Sequence, residues 1–130
     1  MRNRKLVLPN GDDTALVNTL QRRAAVVLQK SLREGFGLTV AEAMWKGTPV
    51  IGGNVGGIRS QIEDGANGFL VSSVEDAAHR IVQLVKDGKL REQMGRKAHQ
   101  AVAERFLLTR YLEQYVDLFG SFETVFRLRR

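Results

Sequence analysis

Residues Ser31 to Gly57 read S-L-R-E-G-F-G-L-T-V-A-E-A-M-W-K-G-T-P-V-I-G-G-N-V-G-G and are the most informative part of the sequence for predicting the fold. This stretch follows a short, valine-rich apolar run, Ala24–Gln29, which predicts a buried β-strand. A tight turn built on Gly35 and Gly37 comes next and leads into a helix. This order directs bare backbone N–H groups and the positive end of the helix at one place. That place favours an anion, most simply a phosphate.

The helix after the turn is predicted to run from about Leu38 to Lys46. Gly47 ends it, and Pro49 begins the next strand. Two carboxylates bracket the predicted anion site. Glu34 comes just before the turn, and Glu42 lies about one helical turn inside the helix. The stretch therefore combines a helix N-terminus with two hydrogen-bond acceptors that flank it.

Outside this stretch, the chain continues to alternate strand patterns with helix patterns. Two more strands are predicted, at Leu6–Leu8, before the turn signal Pro9-Asn10-Gly11, and at Gly68–Val71. The first helix is predicted to run from a cap at Asp12 or Asp13 to Arg23, with Leu16, Val17 and Leu20 on its inner face. Another is predicted to begin at the capping box Ser72-Ser73-Val74-Glu75 and to run to Asp87, where Gly88 closes it. The other predicted helices span Ile58–Asp64, Leu90–Phe106 and Leu108–Phe119. After Gly120 the helical pattern breaks. This alternation predicts an α/β fold with a parallel sheet and helices packed on its faces.

The net charge of +6 raises the question of nucleic-acid binding. Six of the 20 basic residues lie at the chain ends, and they are Arg2, Arg4, Lys5, Arg127, Arg129 and Arg130. The other 14 basic residues balance the 14 acidic ones. Because the body of the chain has neither a basic stripe nor interleaved aromatic residues, we expect no nucleic-acid partner. The basic ends would contact an anionic partner or keep the chain soluble.

The composition indicates a soluble globular domain, or part of one, because 43% of the residues are hydrophobic and 26% are charged. No apolar run approaches the ~20 residues that cross a bilayer, so no membrane partner is expected. The absence of cysteine excludes disulfides and thiolate metal sites and favours a cytoplasmic setting. His79 and His99 lie in separate predicted helices without metal-ligand spacing, so no metal is expected.

The glycines of the turn do not match the better-known phosphate loops. The segment Gly35–Val40 lacks the third glycine of the dinucleotide-binding pattern G-x-G-x-x-G. The region about 20 residues further on, Gly56–Arg59, carries no acid for a ribose. No G-x-x-x-x-G-K-[ST] run is present either. Neither a NAD-dependent enzyme nor a P-loop NTPase is supported.

Glu34 and Glu42 carry a more specific signal. Their E-x7-E spacing, inside S-L-R-E-G-F-G-L-T-V-A-E-A-M, resembles the donor-site motif of retaining GT-B glycosyltransferases of family 4. The resemblance covers roughly Ala24–Phe119 and continues through G-T-P-V-I, V-G-G, E-D-G-A-N-G-F-L-V and L-R-E-Q-M-G. The segments V-L-Q-K-S-L-R-E and E-A-M-W-K-G are similar to trehalose-forming glycosyltransferring synthases. Those enzymes join glucose from a nucleoside-diphosphate glucose to free glucose.

The resemblance implies an architecture and a reaction. In such enzymes two Rossmann-like domains face each other across a cleft, and the C-terminal domain holds the nucleotide sugar. Residues 1–119 would be the distal part of that C-terminal domain, and residues 120–130 a basic tail. Retention is thought to proceed on one face of the sugar, with the leaving phosphate taking the proton of the acceptor. No protein nucleophile, metal or cofactor is then needed, and stabilisation of the leaving diphosphate would dominate.

The resemblance also implies roles for individual residues. Glu34 would be the catalytic residue and would accept hydrogen bonds from hydroxyls of the donor sugar, since vicinal hydroxyls suit a carboxylate. Glu42 would bind the ribose hydroxyls in the same way. The remaining contacts would come from the backbone, with the amides of Phe36 and Gly37 facing the sugar and those of Gly37, Leu38 and Thr39 holding the diphosphate.

Structural explanations compete with these roles. Thr39-x-x-Glu42 is itself a capping box, so Glu42 could fold back on the start of the helix. Glu34 could be a solvated loop acid. The pair Gly56-Gly57 could form only a tight turn or could lie near a ligand. Trp45 fits core or interface packing better than a platform for a sugar.

Two departures from the family pattern limit the function expected of this chain. Ser60 stands where relatives often carry a glutamate. The further strand–helix units of ~30 residues that begin the family's C-terminal domain, and the whole acceptor domain, are absent. We therefore expect a fragment or half-domain that is inactive alone, with an exposed sheet edge that favours self-association. The alternatives are a non-catalytic nucleotide or sugar-phosphate binding module, or a family-4 transferase with another acceptor.

Overall fold

The computed structural model describes residues 13–127, with side chains described for residues 13–121. In chain order the elements are α1 (Thr14–Arg23), β1 (Val27–Gln29), α2 (Leu38–Trp45), β2 (Val50–Gly53), α3 (Gly56–Gln61), β3 (Gly68–Val71), α4 (Val74–Lys86), α5 (Gly88–Arg105) and α6 (Leu108–Arg127). The strand predicted at Leu6–Leu8 and the turn predicted at Pro9–Gly11 lie outside the described residues.

The strands of the described residues form one parallel sheet in the order β1-β2-β3. Val50 of β2 is in register with Val27 on one side and with Gly68 on the other. Each strand reaches the next through a helix, α2 or α3, because parallel neighbours need a crossover connection. The predicted α/β class with a parallel sheet is confirmed.

The edge strand β1 is less buried than its valine-rich sequence predicts. All four residues of β2 are buried, whereas Leu28 of β1 is 47% exposed. The prediction of a buried strand over Ala24–Gln29 is therefore wrong in burial, since no further strand pairs with the outer edge of β1 within residues 13–127. Self-association through this edge stays a prediction.

Two apolar clusters lie on opposite faces of the sheet, since consecutive residues of a strand point to opposite sides. On one face, α2, α3 and α5 pack over Val50 of the central strand. On the other face, α4 and the first turns of α5 pack over Ile51. The buried residues of the first cluster are Val40, Ala43, Met44, Val50, Ile58, Ile62, Ala98 and Val102. This packing fixes α2 and α3 side by side, which positions the loops that precede them.

The ends of α1 and α2 agree with the local sequence signals. Asp13 caps α1, where its Oδ1 accepts a hydrogen bond of 3.0 Å from the Leu16 amide. α2 ends one residue earlier than predicted, and Gly47 follows with a left-handed φ of 74°. The predicted inner face of α1 is partly wrong. Leu20 is 38% exposed, and Gln21 is the buried residue of this helix.

Two other helix starts differ from the prediction. α3 begins at Gly56 and ends at Gln61, rather than spanning Ile58–Asp64, because the chain after it turns to form a bridge to β3. α4 is capped by Ser73 rather than by Ser72. The Ser73 side chain accepts a hydrogen bond of 3.0 Å from the Asp76 amide. The cap therefore lies one residue later than the predicted pair Ser72 and Glu75.

Two predicted helix ends are also wrong. Gly88 does not close α4 but begins α5, and Asp87 serves as the last cap of one helix and the first cap of the other. α6 does not break after Gly120 but continues to Arg127. A single glycine costs a helix only about 1 kcal/mol, which the rest of a long helix can offset. The division at residue 120 stays a prediction.

Candidate functional site

The candidate site lies at the edge of the sheet where the carboxyl ends of the parallel strands meet, which is where open α/β sheets bind ligands. The loop after β1 and the loop after β2 come together there. A Cβ atom on Gly53, the last residue of β2, would lie 2.8 Å from the carbonyl oxygen of Ser31. The two loops are therefore in backbone contact before they enter α2 and α3.

The glycine pair Gly56-Gly57 brings the start of α3 against the loop before α2. A Cβ atom on Gly56 would lie 2.0 Å from the Glu34 carbonyl oxygen, and one on Gly57 would lie 1.9 Å from the Gly35 carbonyl oxygen. The Gly57 amide donates a hydrogen bond of 3.1 Å to the Glu34 carbonyl. The pair forms the start of α3, and its backbone contacts fix the position of the Glu34–Gly37 loop. Its proximity to a ligand stays a prediction.

The first turn of α2 is open. Gly37 is the N-cap residue with a left-handed φ of 81°, and no side chain caps the helix. The backbone amides of Gly37, Leu38 and Thr39 have no hydrogen-bond acceptor among the described residues. Unpaired N–H groups and the positive end of the helix dipole together favour an anion at this place.

Glu42 does not cap α2. A capping box would need Thr39 at the N-cap, but Thr39 lies inside the helix, which begins at Leu38. The Glu42 carboxylate instead accepts a hydrogen bond of 3.4 Å from Gln21 Nε2 of α1. The capping explanation for Glu42 is therefore wrong. Its carboxylate is exposed and lines a cavity of about 190 Å³ with Thr14, Val17 and Asn18.

Gln21, which no sequence motif indicated, organises this side of the site. Its Oε1 accepts a hydrogen bond from Lys46 Nζ, and its backbone carbonyl accepts one of 2.6 Å from Thr48 Oγ1. Gln21 therefore ties α1 to the C-terminal half of α2 and to the residues that follow it. The only local signal was a polar residue that interrupts an otherwise apolar helix face.

Glu34 is half-buried and held by neighbouring side chains rather than freely solvated. Ser31 Oγ donates a hydrogen bond of 3.3 Å to Glu34 Oε2. Gln29 Nε2 in turn donates one of 2.9 Å to Ser31 Oγ. The explanation of Glu34 as a solvated loop acid does not fit, because a chain of two hydrogen bonds orients the carboxylate beside the N-cap of α2.

Phe36 is fixed through both its ring and its carbonyl group. The ring packs edge-on against Phe106, with centroids 5.7 Å apart. The carbonyl oxygen accepts a hydrogen bond from Gln61 Nε2. Arg105 lies over the ring of Phe106 and donates to the Ser60 carbonyl oxygen. The loop that carries Glu34 and Gly37 is thus braced by α3 and by the end of α5.

Comparison with known proteins identifies the family. The family model described as Glycosyl transferases group 1 matches residues 2–101. This chain belongs to that family. The trehalose synthase of Thermococcus litoralis is 50% identical over 106 residues, which are 82% of this chain and 26% of that protein. The chain therefore spans about a quarter of the length of the trehalose synthase that it matches.

Solved structures share the fold. The structure of Anabaena HepE in complex with UDP-glucose aligns with a TM-score of 0.72 and 26% identity, over 81% of this chain and 30% of that one. The C-terminal domain of the group 1 glycosyltransferase LpcC from Francisella tularensis aligns with a TM-score of 0.68 and 26% identity, over 80% of this chain and 53% of that domain. The fold is that of the C-terminal domain of GT-B glycosyltransferases.

Trp45 lies at the opposite end of α2 from the candidate site. Its indole stacks on His99 of α5, with centroids 4.5 Å apart and an interplanar angle of 27°. The prediction of core packing is wrong for Trp45, because the residue is 41% exposed. Its interface packing stays a prediction. The described residues contain no group of three or more His, Cys, Asp or Glu side chains placed to hold a metal ion. In residues 13–127, no helix has both the length and the apolar surface to cross a membrane.

Proposed function

We propose that this chain is the donor-binding part of a retaining glycosyltransferase that transfers glucose from a nucleoside-diphosphate glucose to a sugar acceptor, with glucose as the acceptor and trehalose as the product. The observation that carries the proposal is the open N-terminus of α2, with unpaired amides and the Glu34 side chain beside the N-cap residue Gly37. The likeness to trehalose synthases supports the choice of glucose and trehalose.

Each group at the open turn would take the part of the donor that suits its chemistry. The amides of Gly37, Leu38 and Thr39 would hold the diphosphate, because hydrogen bonds to an anion and the helix dipole act in the same direction. The oriented Glu34 carboxylate would accept hydrogen bonds from hydroxyls of the donor sugar, which the Phe36 and Gly37 amides would also face. These roles would use donors that the helix itself cannot pair.

Glu42 would bind the hydroxyls of the ribose. Its carboxylate is exposed, lines a cavity and accepts only a long hydrogen bond of 3.4 Å from Gln21. A carboxylate has about four lone-pair sites, so most of its capacity remains for a ligand. The cavity between α1 and α2 would accommodate this end of the nucleotide.

In the proposed reaction, the bond between the sugar C1 and the diphosphate oxygen breaks while the acceptor oxygen bonds to C1 on the same face. The leaving phosphate takes the acceptor proton, so atoms and charge balance without a protein nucleophile. The open helix turn would stabilise the charge that develops on the diphosphate. Glu34 would hold the sugar in the reactive position. The acceptor would be bound by an N-terminal domain, so this chain alone would be inactive.

The test is calorimetric titration of UDP, ADP, GDP and their glucose conjugates, with Glu42→Ala beside wild type. We expect at least one nucleotide sugar to bind and Glu42→Ala to weaken it about tenfold. Helix content and melting temperature should stay unchanged, since Glu42 does not cap α2. Sugar transfer should be absent from this chain alone.

Glu104→Ala is the matched control, because Glu104 is also an exposed glutamate that accepts a hydrogen bond from a glutamine, at 2.7 Å from Gln100. It should bind like wild type. If no nucleotide or nucleotide sugar binds the wild-type chain, the donor-binding proposal is wrong. If Glu42→Ala binds as tightly as wild type, the ribose role of Glu42 is wrong. Robust transfer by the chain alone would contradict its proposed inactivity.

A further inference from the structure

The strongest unassigned feature of the molecule is the side chain of Gln61 at the end of α3. It is fully buried, with 0% of its surface exposed. Its Nε2 donates a hydrogen bond to the Phe36 carbonyl oxygen, across 25 residues of chain. Its Oε1 has no hydrogen-bond partner in the described structure. A buried amide with one unpaired end is costly, so its retention needs a reason.

The position of Gln61 suggests that reason. Its Oε1 lies 3.7 Å from where a Cβ atom of Gly37 would stand. The amide therefore lies directly beneath the peptide that joins Phe36 to Gly37. That peptide is planar and trans, so its C=O and N–H bonds point in opposite directions. When Gln61 holds the carbonyl oxygen of Phe36, the Gly37 N–H must point away from α3.

We propose that Gln61 is a positioning residue that sets the direction of the Gly37 N–H at the open turn of α2, so that this amide faces the diphosphate and the donor sugar. The inference rests on the proposed function for its ligand. It goes beyond that function in naming a buried residue that acts through the backbone and touches no part of the donor.

Two other contacts also hold the loop that Gln61 contacts. The Gly57 amide donates to the Glu34 carbonyl at 3.1 Å, and the ring of Phe36 packs on Phe106. These contacts do not involve the Gln61 side chain, so we expect them to persist when it changes. Replacement by leucine should therefore free one peptide without unfolding the loop. It also removes the unpaired Oε1, so stability should change little while the orientation of the peptide is lost.

The experiment compares wild type, Gln61→Leu and Asn67→Ala by isotope-edited NMR without ligand, and then by titration with UDP-glucose. Asn67 is the matched control because it is also buried, and its Oδ1 accepts a hydrogen bond of 2.8 Å from the Glu63 amide, away from α2. We expect Gln61→Leu to shift the Phe36 carbonyl carbon and broaden the Gly37 amide. It should also weaken UDP-glucose about tenfold at an unchanged melting temperature.

Asn67→Ala should lower the melting temperature and leave both resonances and the affinity of the folded protein unchanged. Gln61→Glu adds a second test. Its carboxylate cannot donate to the Phe36 carbonyl at pH 8, whereas its protonated form can, so affinity relative to wild type should recover toward pH 5.

Unchanged Phe36 and Gly37 resonances in Gln61→Leu would overturn the inference whether or not any nucleotide binds. Changed resonances with wild-type affinity for UDP-glucose would overturn it too, since the peptide direction would then not matter to the ligand. If the resonances change as expected but wild type binds no nucleotide or nucleotide sugar, the positioning of the peptide by Gln61 stands. The proposed function is then what fails.

Discussion

The two ends of α2 share a backbone feature, a glycine with a left-handed φ, but differ in how their backbone groups are hydrogen-bonded. Gly37 precedes the helix and Gly47 follows it, with left-handed φ values of 81° and 74°. At the C-terminal end, Gly47 and Thr48 donate backbone hydrogen bonds of 2.9 and 3.0 Å to carbonyls of the last turn. At the N-terminal end, the first amides have no acceptor among the described residues, and no side chain caps the helix.

The difference shows where this fold leaves hydrogen-bonding capacity unused. The closed end is sealed by α5, where His99 hydrogen-bonds the Trp45 carbonyl and Gly95 lies against the Gly47 carbonyl. At the open end, residues of α3 hold the preceding loop by donating hydrogen bonds to its carbonyl groups. The first amides of a helix have no intrahelical acceptor, and Leu38 is 69% exposed, so the donors of this turn are accessible to a ligand.

The largest effects should come from glycines that hold the two ends. A Cβ atom on Gly95 would lie 2.1 Å from the Gly47 carbonyl oxygen, and one on Gly57 would lie 1.9 Å from the Gly35 carbonyl oxygen. We expect Gly95→Ala and Gly57→Ala each to lower the free energy of unfolding by about 3 kcal/mol, because backbone must move to make room. Chemical denaturation measures both.

Gly35→Ala is the control, because no atom lies within 4 Å of the position that its new methyl group would take. It should change the free energy of unfolding by less than about 0.5 kcal/mol. Only Gly57→Ala should also weaken UDP-glucose binding by the folded protein, since it displaces the loop before α2. Wild-type stability in Gly57→Ala would show that α3 does not brace the open end.

The next largest effect should come from Glu34 at the open end. We expect Glu34→Ala to lose about 2 kcal/mol of binding free energy for UDP-glucose, roughly 30-fold, with a smaller loss for UDP. The reason is that its carboxylate is proposed to contact the sugar, which UDP lacks. Ser31→Ala removes only the 3.3 Å hydrogen bond that orients Glu34, and should cost about threefold. Equal losses for UDP and UDP-glucose would contradict a sugar contact by Glu34.

The contrast between the two ends also explains what the sequence could predict. The boundaries of α2 were predictable to within one residue, because Gly47 and Pro49 are helix-ending signals whose effect depends only on the neighbouring residues. The open turn was predictable from the position of Gly37 and from the resemblance that gave Glu34 and Glu42 their roles. These roles stay predictions. The structure places the Glu34 side chain beside Gly37, whereas the Glu42 carboxylate contacts α1.

The supports of the open end could not be read in the same way. Gln61 reaches Phe36 across 25 residues, and Gln21 reaches Glu42 across 21. Such partners depend on how α3 and α1 pack, and packing is not a local property of the chain. Each residue showed only a polar side chain at an inward helix position. The half-exposed β1 was missed for the same reason, since composition does not show whether a neighbouring strand is present.

The smallest effect should come from His99 at the closed end. His99→Ala removes the ring stack at 4.5 Å on Trp45 and the hydrogen bond to its carbonyl. We expect a loss of about 1 kcal/mol in the free energy of unfolding, because His99 is exposed and only partly desolvated. His79→Ala, at an exposed histidine of α4, should change it by less than about 0.5 kcal/mol. Neither variant should change UDP-glucose affinity. If His99→Ala weakens UDP-glucose binding as much as Glu34→Ala does, the two ends of α2 are energetically coupled through the helix. The closed end is then part of the binding site rather than its structural counterpart.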